Sequence, residues 1–377
     1  MLIGVLRETA PEETRVALTP ETGKKLVGMG YKVRMESGAG LAAMFVDSAY
    51  SEAGVEICSS AAAAVAEADI ILKVVAPASE EVALMKKGAL VLAIFAPHLN
   101  ELLQLYADAG LRCLAMELIP RTTRAQSSDI LSSQANVAGY KAVLMAANAY
   151  QRMMPMLMTA AGTIKPARVL ILGVGVAGLQ AIATARRLGA VVEASDLRPV
   201  AREQVESLGG KWLDVPMSEE EKSKALGTGG YAWQPSPQYI ASQAEIVDKA
   251  VAAADIVITT ALIPGRRAPV LVKAATVAKM KPGSVIVDMA VSAGGNVEGA
   301  KAGENVTTDN GVLIIGEANI PARVATETSS LYSRNLLNFL QLFHDSESAT
   351  LKLDTEDDLV KPTLIVDGGQ VHYSNPA

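Results

Sequence analysis

The chain has 377 residues, half of them hydrophobic and 20% charged, which allows a large core and argues against disorder. Thirty-four Lys and Arg stand against 40 Asp and Glu, a net charge of −6 with no basic run, so no nucleic-acid partner is expected. Cys58 and Cys113, and His98, His344 and His372, are too scattered for a disulfide scaffold or a metal cluster.

The mean hydropathy of +0.25 is high. A membrane span needs about 20 apolar residues, and the longest apolar stretch, Ala89–Pro97, is far shorter. Met1–Leu6 runs straight into Arg7 and Glu8 with no basic leader. A cytoplasmic chain without direct membrane insertion is therefore expected. Its apolarity would belong to parallel strands buried on both faces, which read as nearly continuous hydrophobic runs.

In chain order, apolar runs alternate with helical patterns. Strands are expected at Leu2–Leu6, Lys32–Met35, Ile70–Val75, Leu90–Phe95 and Leu111–Met116, with helices among them at Pro20–Gly28, Ser60–Ala68 and Asn100–Gly110. From Ser128 to about Ala160 there is no strand-like run, and Ile130, Leu131, Val137, Tyr140, Val143 and Leu144 mark one long helix. A second series follows at Val169–Leu172, Val191–Ala194, Ile256–Thr260, Val285–Met289 and Val312–Ile315, and then a helix at Leu331–Phe343. Strand, helix, strand at this spacing gives right-handed crossovers and parallel sheets. The fold class is α/β: two doubly wound, Rossmann-like domains joined by long helices, with a ligand cleft expected where the helices bridge the sheets. The tail is too short for a domain of its own. It is expected to return to the first, giving a discontinuous domain of residues 1–130 plus 330–377 and a second of 131–329.

The most informative local pattern is Gly173-Val174-Gly175-Val176-Ala177-Gly178, between a strand and a helix. Gly173 suits a tight turn, Gly175 lets a pyrophosphate approach the backbone, and Gly178 lets helix and strand pack closely. Val176 and Ala177 open the helix, whose free N–H groups and positive dipole end favour phosphate. Asp196 ends the next strand, where it can accept from ribose hydroxyls. A carboxylate there repels a 2′-phosphate and favours NAD(H), although the guanidinium of Arg198 argues the other way.

Further segments converge: Glu13–Pro20, Leu72-Lys73-Val74, Arg121–Gln134 and Thr260–Gly265. On these the chain resembles the alanine dehydrogenase and pyridine nucleotide transhydrogenase superfamily over essentially its whole length. Within it, the chain is most similar to the NAD(H)-binding domain I of proton-translocating transhydrogenases, which in some bacteria is a separate soluble subunit. That resemblance implies NAD(H) on this chain and NADP(H) on a partner component. It also implies a membrane component carrying the proton channel, a homodimer, and a place at the inner face of the cytoplasmic membrane reached through partner subunits.

The resemblance implies that Arg121, Gln126, Asp129 and Ser132 orient a nicotinamide and its hydride acceptor. Arg121 donates to the carboxamide, Asp129 and Ser132 accept from it, and Gln126 carries both functions. Arg124, Gln243 and Leu262 become nucleotide contacts, and Tyr231 with Gly230 belongs to a mobile loop that folds over the nucleotide. Alanine dehydrogenases are the alternative. Arg15 and Lys73 match their pyruvate pocket, but their catalytic histidine aligns with Ala96, His98 falls two residues late, and Ser292 replaces an aspartate. Asp129 and the arginines also suit a charged turn capping the long helix.

Overall fold

The computed structural model describes residues 1–218, 221, 236–262 and 266–374. The chain divides into two compact units, Met1–Gln134 with Pro321–Ala377, and Ala135–Ile320.

In the first unit, β1 (Leu2–Val5), β2 (Lys32–Glu36), β3 (Glu56–Cys58), β4 (Ile70–Val75), β5 (Leu90–Ile94) and β6 (Arg112–Ala115) pair in parallel. The tail adds β18 (Leu364–Asp367) and β19 (Gln370–Val371) antiparallel beside β6, giving the order β19-β18-β6-β5-β4-β1-β2-β3. Alternation sends Ile3, Val5, Ile70, Leu72, Leu90 and Leu92 into one core and Ile71, Val91, Ala93 and Cys113 into the other. Both faces are buried, so the strands read as unbroken apolar runs.

The helix Ala325–Leu342 covers the first of these faces through Tyr332, Leu336, Phe339 and Leu340. It starts six residues before the expected Leu331. On its early turns it buries hydroxyls: Thr328 Oγ1 donates to Val324 O, Ser329 Oγ accepts from Val16 N–H, and Ser333 Oγ accepts from Thr19 N–H. A hydrophobic periodicity cannot register such a face.

The second unit is a seven-stranded sheet of order β11-β10-β9-β12-β13-β15-β14. Its strands are β9 (Arg168–Leu172), β10 (Val191–Ser195), β11 (Lys211–Trp212), β12 (Ile256–Thr259), β13 (Val285–Asp288), β14 (Asn305–Thr307) and β15 (Leu313–Ile315), all parallel except β14. The order reverses between β9 and β12, and in open α/β sheets ligands bind beyond the carboxyl ends of strands at such a switch point.

The long connecting helix runs Ile130–Ala149, not to Ala160. Pro155 cannot donate, and Gly162 adopts φ +138, so residues 157–164 form a hairpin of β7 (Leu157–Thr159) and β8 (Gly162–Ile164) instead. Met153, Met156 and Met158 are exposed there, whereas Met154 is buried.

Gly139 lies inside that helix, a position unfavourable by helix propensity. A Cβ there would stand 2.1 Å from Ala177 O, on the first turn of the helix Val176–Arg187. Gly139→Ala should therefore destabilise the protein by about 1–3 kcal/mol through overpacking, although alanine favours a helix by about 1 kcal/mol. Urea denaturation checks this, and a stabilised variant would show that the two helices separate at no cost.

Candidate functional site

Two groups of sequence-singled residues emerge, one in each unit. In the second unit they lie at the carboxyl ends of β9, β10 and β12. The turn after β9 brings Gly173, Val174 and Gly175 to the start of the helix Val176–Arg187, with Gly175 as its N-cap. Leu179 N–H donates to Gly175 O, so the N–H groups of Val176, Ala177 and Gly178 precede the first intrahelical bond.

The three glycines have separable causes. Gly173 adopts φ +97, and a Cβ there would lie 2.6 Å from Thr260 Oγ1. At Gly178 a Cβ would lie 2.0 Å from Gly173 O. Both are required by the protein's own backbone. Gly175 is different: its φ of −84 suits any residue, and beyond its chain neighbours no heavy atom of the described residues lies within 4 Å of a Cβ built on it. No packing among the described residues requires its bareness, which would allow the close approach of a pyrophosphate.

Asp196 follows β10. Its Oδ2 accepts from Val174 N–H at 2.7 Å and from Arg198 Nη2, and its Oδ1 accepts from Arg198 N–H and Nε. Burial raises its carboxyl, but the bonds from Arg198 and from the two backbone N–H groups outweigh this and leave it below the usual range. Asp196 thus orders the turn after β9. With four donors on two oxygens, it can accept from a ligand hydroxyl only as Arg198 withdraws. On the helix Pro237–Ala253, Gln243 Nε2 reaches Ser195 Oγ at 3.5 Å, and Leu262, exposed, follows β12. Gly230 and Tyr231 lie outside the described residues.

In the first unit, Arg121, Arg124, Gln126, Asp129 and Ser132 share the segment that leads into the long helix. Asp129 caps that helix: Oδ1 accepts from Ser132 N–H at 2.9 Å and Oδ2 from Ser132 Oγ at 2.6 Å. Ser132 gives its proton to Asp129, so its lone pairs remain to accept from a ligand, and Asp129 keeps lone pairs of its own. Gln126 is exposed in the turn Gln126–Ser128. The guanidinium of Arg124, expected as a nucleotide contact, pairs with Asp357 and Asp358 and lies 5.6 Å above the Phe343 ring.

Deeper in the same unit is a set of buried charges. Arg15 pairs with Glu13 at 2.6 Å and donates to Gln134 Oε1. Lys73 pairs with Glu81 at 2.6 Å and lies 3.4 Å from Glu8. Burial pushes Glu8 up to about 7 against the pull of Lys73 and the Val74 N–H. Both cations that would clamp a keto acid are therefore already neutralised by carboxylates. His98 is exposed, and Ala96 adopts φ +44. Ser292 donates to Ala318 O. Among the described residues, no three acid, histidine or cysteine side chains gather as a metal site.

Residues 4–138 match the family described as Alanine dehydrogenase/PNT, N-terminal domain, and residues 142–374 match Alanine dehydrogenase/PNT, C-terminal domain. The chain belongs to the alanine dehydrogenase/PNT family. It is 48% identical to an NAD(P) transhydrogenase subunit alpha chain of Rhodospirillum rubrum, over 99% of this chain and 98% of that one. A crystal structure of transhydrogenase from Sinorhizobium meliloti superposes with a TM-score of 0.89 at 47% identity, covering 98% of this chain and all of that chain. Alanine dehydrogenase of Bacillus subtilis is 32% identical over 99% of this chain and 93% of that one. This family member thus lies nearer the transhydrogenase relatives.

Sequence reasoning missed Glu117. Its Oε1 accepts from Phe95 and Ala96 N–H, its buried Oε2 has no hydrogen-bond partner among the described residues, and burial pushes the carboxyl up to about 7 despite those backbone donors. A lone acid between apolar runs gives no sign of burial in a sequence. Its raised pKa contributes stability that is full below the unfolded value of 4.5 and is lost as pH rises through about 7. Glu117→Gln keeps the acceptor and removes the charge. It should gain about 2–3 kcal/mol on the parent between pH 5 and pH 8, read from denaturation midpoints at both. A gap that does not change with pH would refute the assignment.

Proposed function

We propose that this chain is the NAD(H)-binding subunit of a proton-translocating NAD(P) transhydrogenase. It would exchange hydride with NADP(H) held by a partner component, while a membrane component couples the exchange to proton movement. The observation that carries the reading is Gly175, a bare cradle at a switch point that no contact among the described residues explains. Bound NAD(H) supplies the hydride at its nicotinamide ring. The turn Gly173–Gly178 would take the pyrophosphate on the N–H groups of Val176, Ala177 and Gly178. Asp196 would hold ribose hydroxyls and disfavour a 2′-phosphate, with Gln243 and Leu262 beside the nucleotide.

Arg121, Asp129 and Ser132 would orient the carboxamide, Gln126 would face the second nucleotide, and Gly230 and Tyr231 would close over the site. Hydride exchange between two nicotinamides needs no general acid, so these residues act by positioning. The alanine dehydrogenase alternative is disfavoured by the pairing of Arg15 with Glu13 and of Lys73 with Glu81 and by Ala96 in place of an acid/base histidine. Among the described residues no helix is long and apolar enough to cross a membrane. A homodimer, attached peripherally to the membrane through its partners, is the assembly we infer.

Gly175→Val should fold with an unchanged melting temperature and lose NADH binding in calorimetry, because its side chain enters ligand space rather than protein. Normal affinity in the variant would place the phosphate turn elsewhere. Asp129→Asn retains a good helix cap but weakens the acceptor offered to the carboxamide. It should slow hydride transfer to the NADP(H)-binding component by about tenfold or more, with NADH affinity changed far less. Equal losses in rate and affinity would make Asp129 a uniform binding residue.

A further inference from the structure

The segment Arg121–Ser128 is mostly exposed, yet transfer by positioning needs it held still. What holds it comes from the helix Ala325–Leu342. Asn335 Nδ2 donates to Ser127 O at 2.8 Å, and Asn338 Nδ2 donates to the same oxygen at 3.0 Å. The two amides stand one turn apart on one helix face. A carbonyl engaged on both lone pairs is held in two directions, so the peptide plane after Ser127 cannot swing.

Asn335, only 7% exposed, also uses its other end, accepting from Ser133 Oγ at 2.7 Å. It therefore ties the chain two residues before Asp129 to the helix turn four residues after it. Phe343, just beyond the same helix, lies under Arg124, and Arg124 pairs with Asp357 and Asp358. One helix and the segment after it thus grip both flanks of Gln126 and Asp129.

We propose that Asn335 and Asn338 are positioning residues for hydride transfer, fixing the Ser127 carbonyl so that Gln126 and Asp129 meet the nicotinamides in register. The proposal rests on the reading of Arg121–Ser132 as the nicotinamide loop. Both asparagines act through the loop, and Arg124 serves as a strut in the same assembly.

The test uses N338A, which removes one of two donors, and N335D, which keeps the acceptor for Ser133 but turns an oxygen toward Ser127 O. Four quantities are measured for each: melting temperature, NADH affinity, the emission of bound NADH, and single-turnover transfer with the NADP(H)-binding component. N335D should slow transfer about tenfold or more and N338A about threefold, since small misplacements of reacting groups are costly. NADH affinity should stay within about twofold, as the pyrophosphate and ribose contacts are untouched. Bound NADH should emit nearer its free spectrum, reporting a loosened ring without any partner present.

In a D129N background N335D should add little, because both act on one geometry. Full transfer rates in folded N335D and N338A, while D129N is slow, would overturn the clamp and leave the loop reading intact. Full rate in D129N itself would instead overturn the loop reading. Should N335D fail to fold, N338A decides: a lowered melting temperature with an unchanged rate and unchanged NADH emission assigns the asparagines to stability alone.

Discussion

The second unit is organised around a backbone crossing that permits no side chains. Gly178 lets the helix Val176–Arg187 start against Gly173 O, and Gly139 lets the long helix pass against Ala177 O. Each contact would place a Cβ about 2 Å from a carbonyl oxygen, well inside van der Waals contact. Asp196 pins the same turn from the next strand through Val174 N–H. Two segments distant in sequence therefore fix one short piece of backbone, and the N–H groups of the helix start are presented outward. Gly175 is the one glycine of the turn that this packing leaves unexplained.

The first unit answers a different demand. On the proposed reading, its loop presents polar groups to a nicotinamide without carrying a titrating catalyst. The structure supplies a helix cap with acceptor capacity to spare, Asp129 with Ser132, in a segment braced by amides from a helix about 200 residues further along the chain. Buried carboxylates next to Arg15 and Lys73 cancel the positive charge that a keto-acid pocket would need, and Glu8, pushed up to about 7, shows the desolvation this costs.

Much of the fold is legible in the sequence because strands buried on both faces leave unbroken apolar runs; β4 spans Ile70–Val75 as its sequence implies. The glycine turn after β9 is legible because glycine spacing records backbone sterics directly. The hairpin after Pro155 is not, since Leu157–Thr159 and Gly162–Ile164 are too short and too exposed to alternate. The early turns of the helix at Ala325 are hidden because they bury hydroxyls. The roles of Arg124, Asn335 and Asn338 depend on partners more than 200 positions away, a separation no local pattern encodes. The double engagement of Asp196, with Arg198 and with the turn, likewise emerges only once the turn is folded.

The central claim is that NAD(H) seats its pyrophosphate on the bare turn at Gly175 and its ribose on Asp196. A crystal structure of the chain with NADH tests this most directly. The account predicts pyrophosphate oxygens on the N–H groups of Val176, Ala177 and Gly178, ribose hydroxyls on Asp196 in place of some of the Arg198 guanidinium bonds, and the carboxamide beside Asp129 and Ser132. A nucleotide bound away from Gly175, or an Asp196 still fully engaged by Arg198 with the ribose elsewhere, would contradict it.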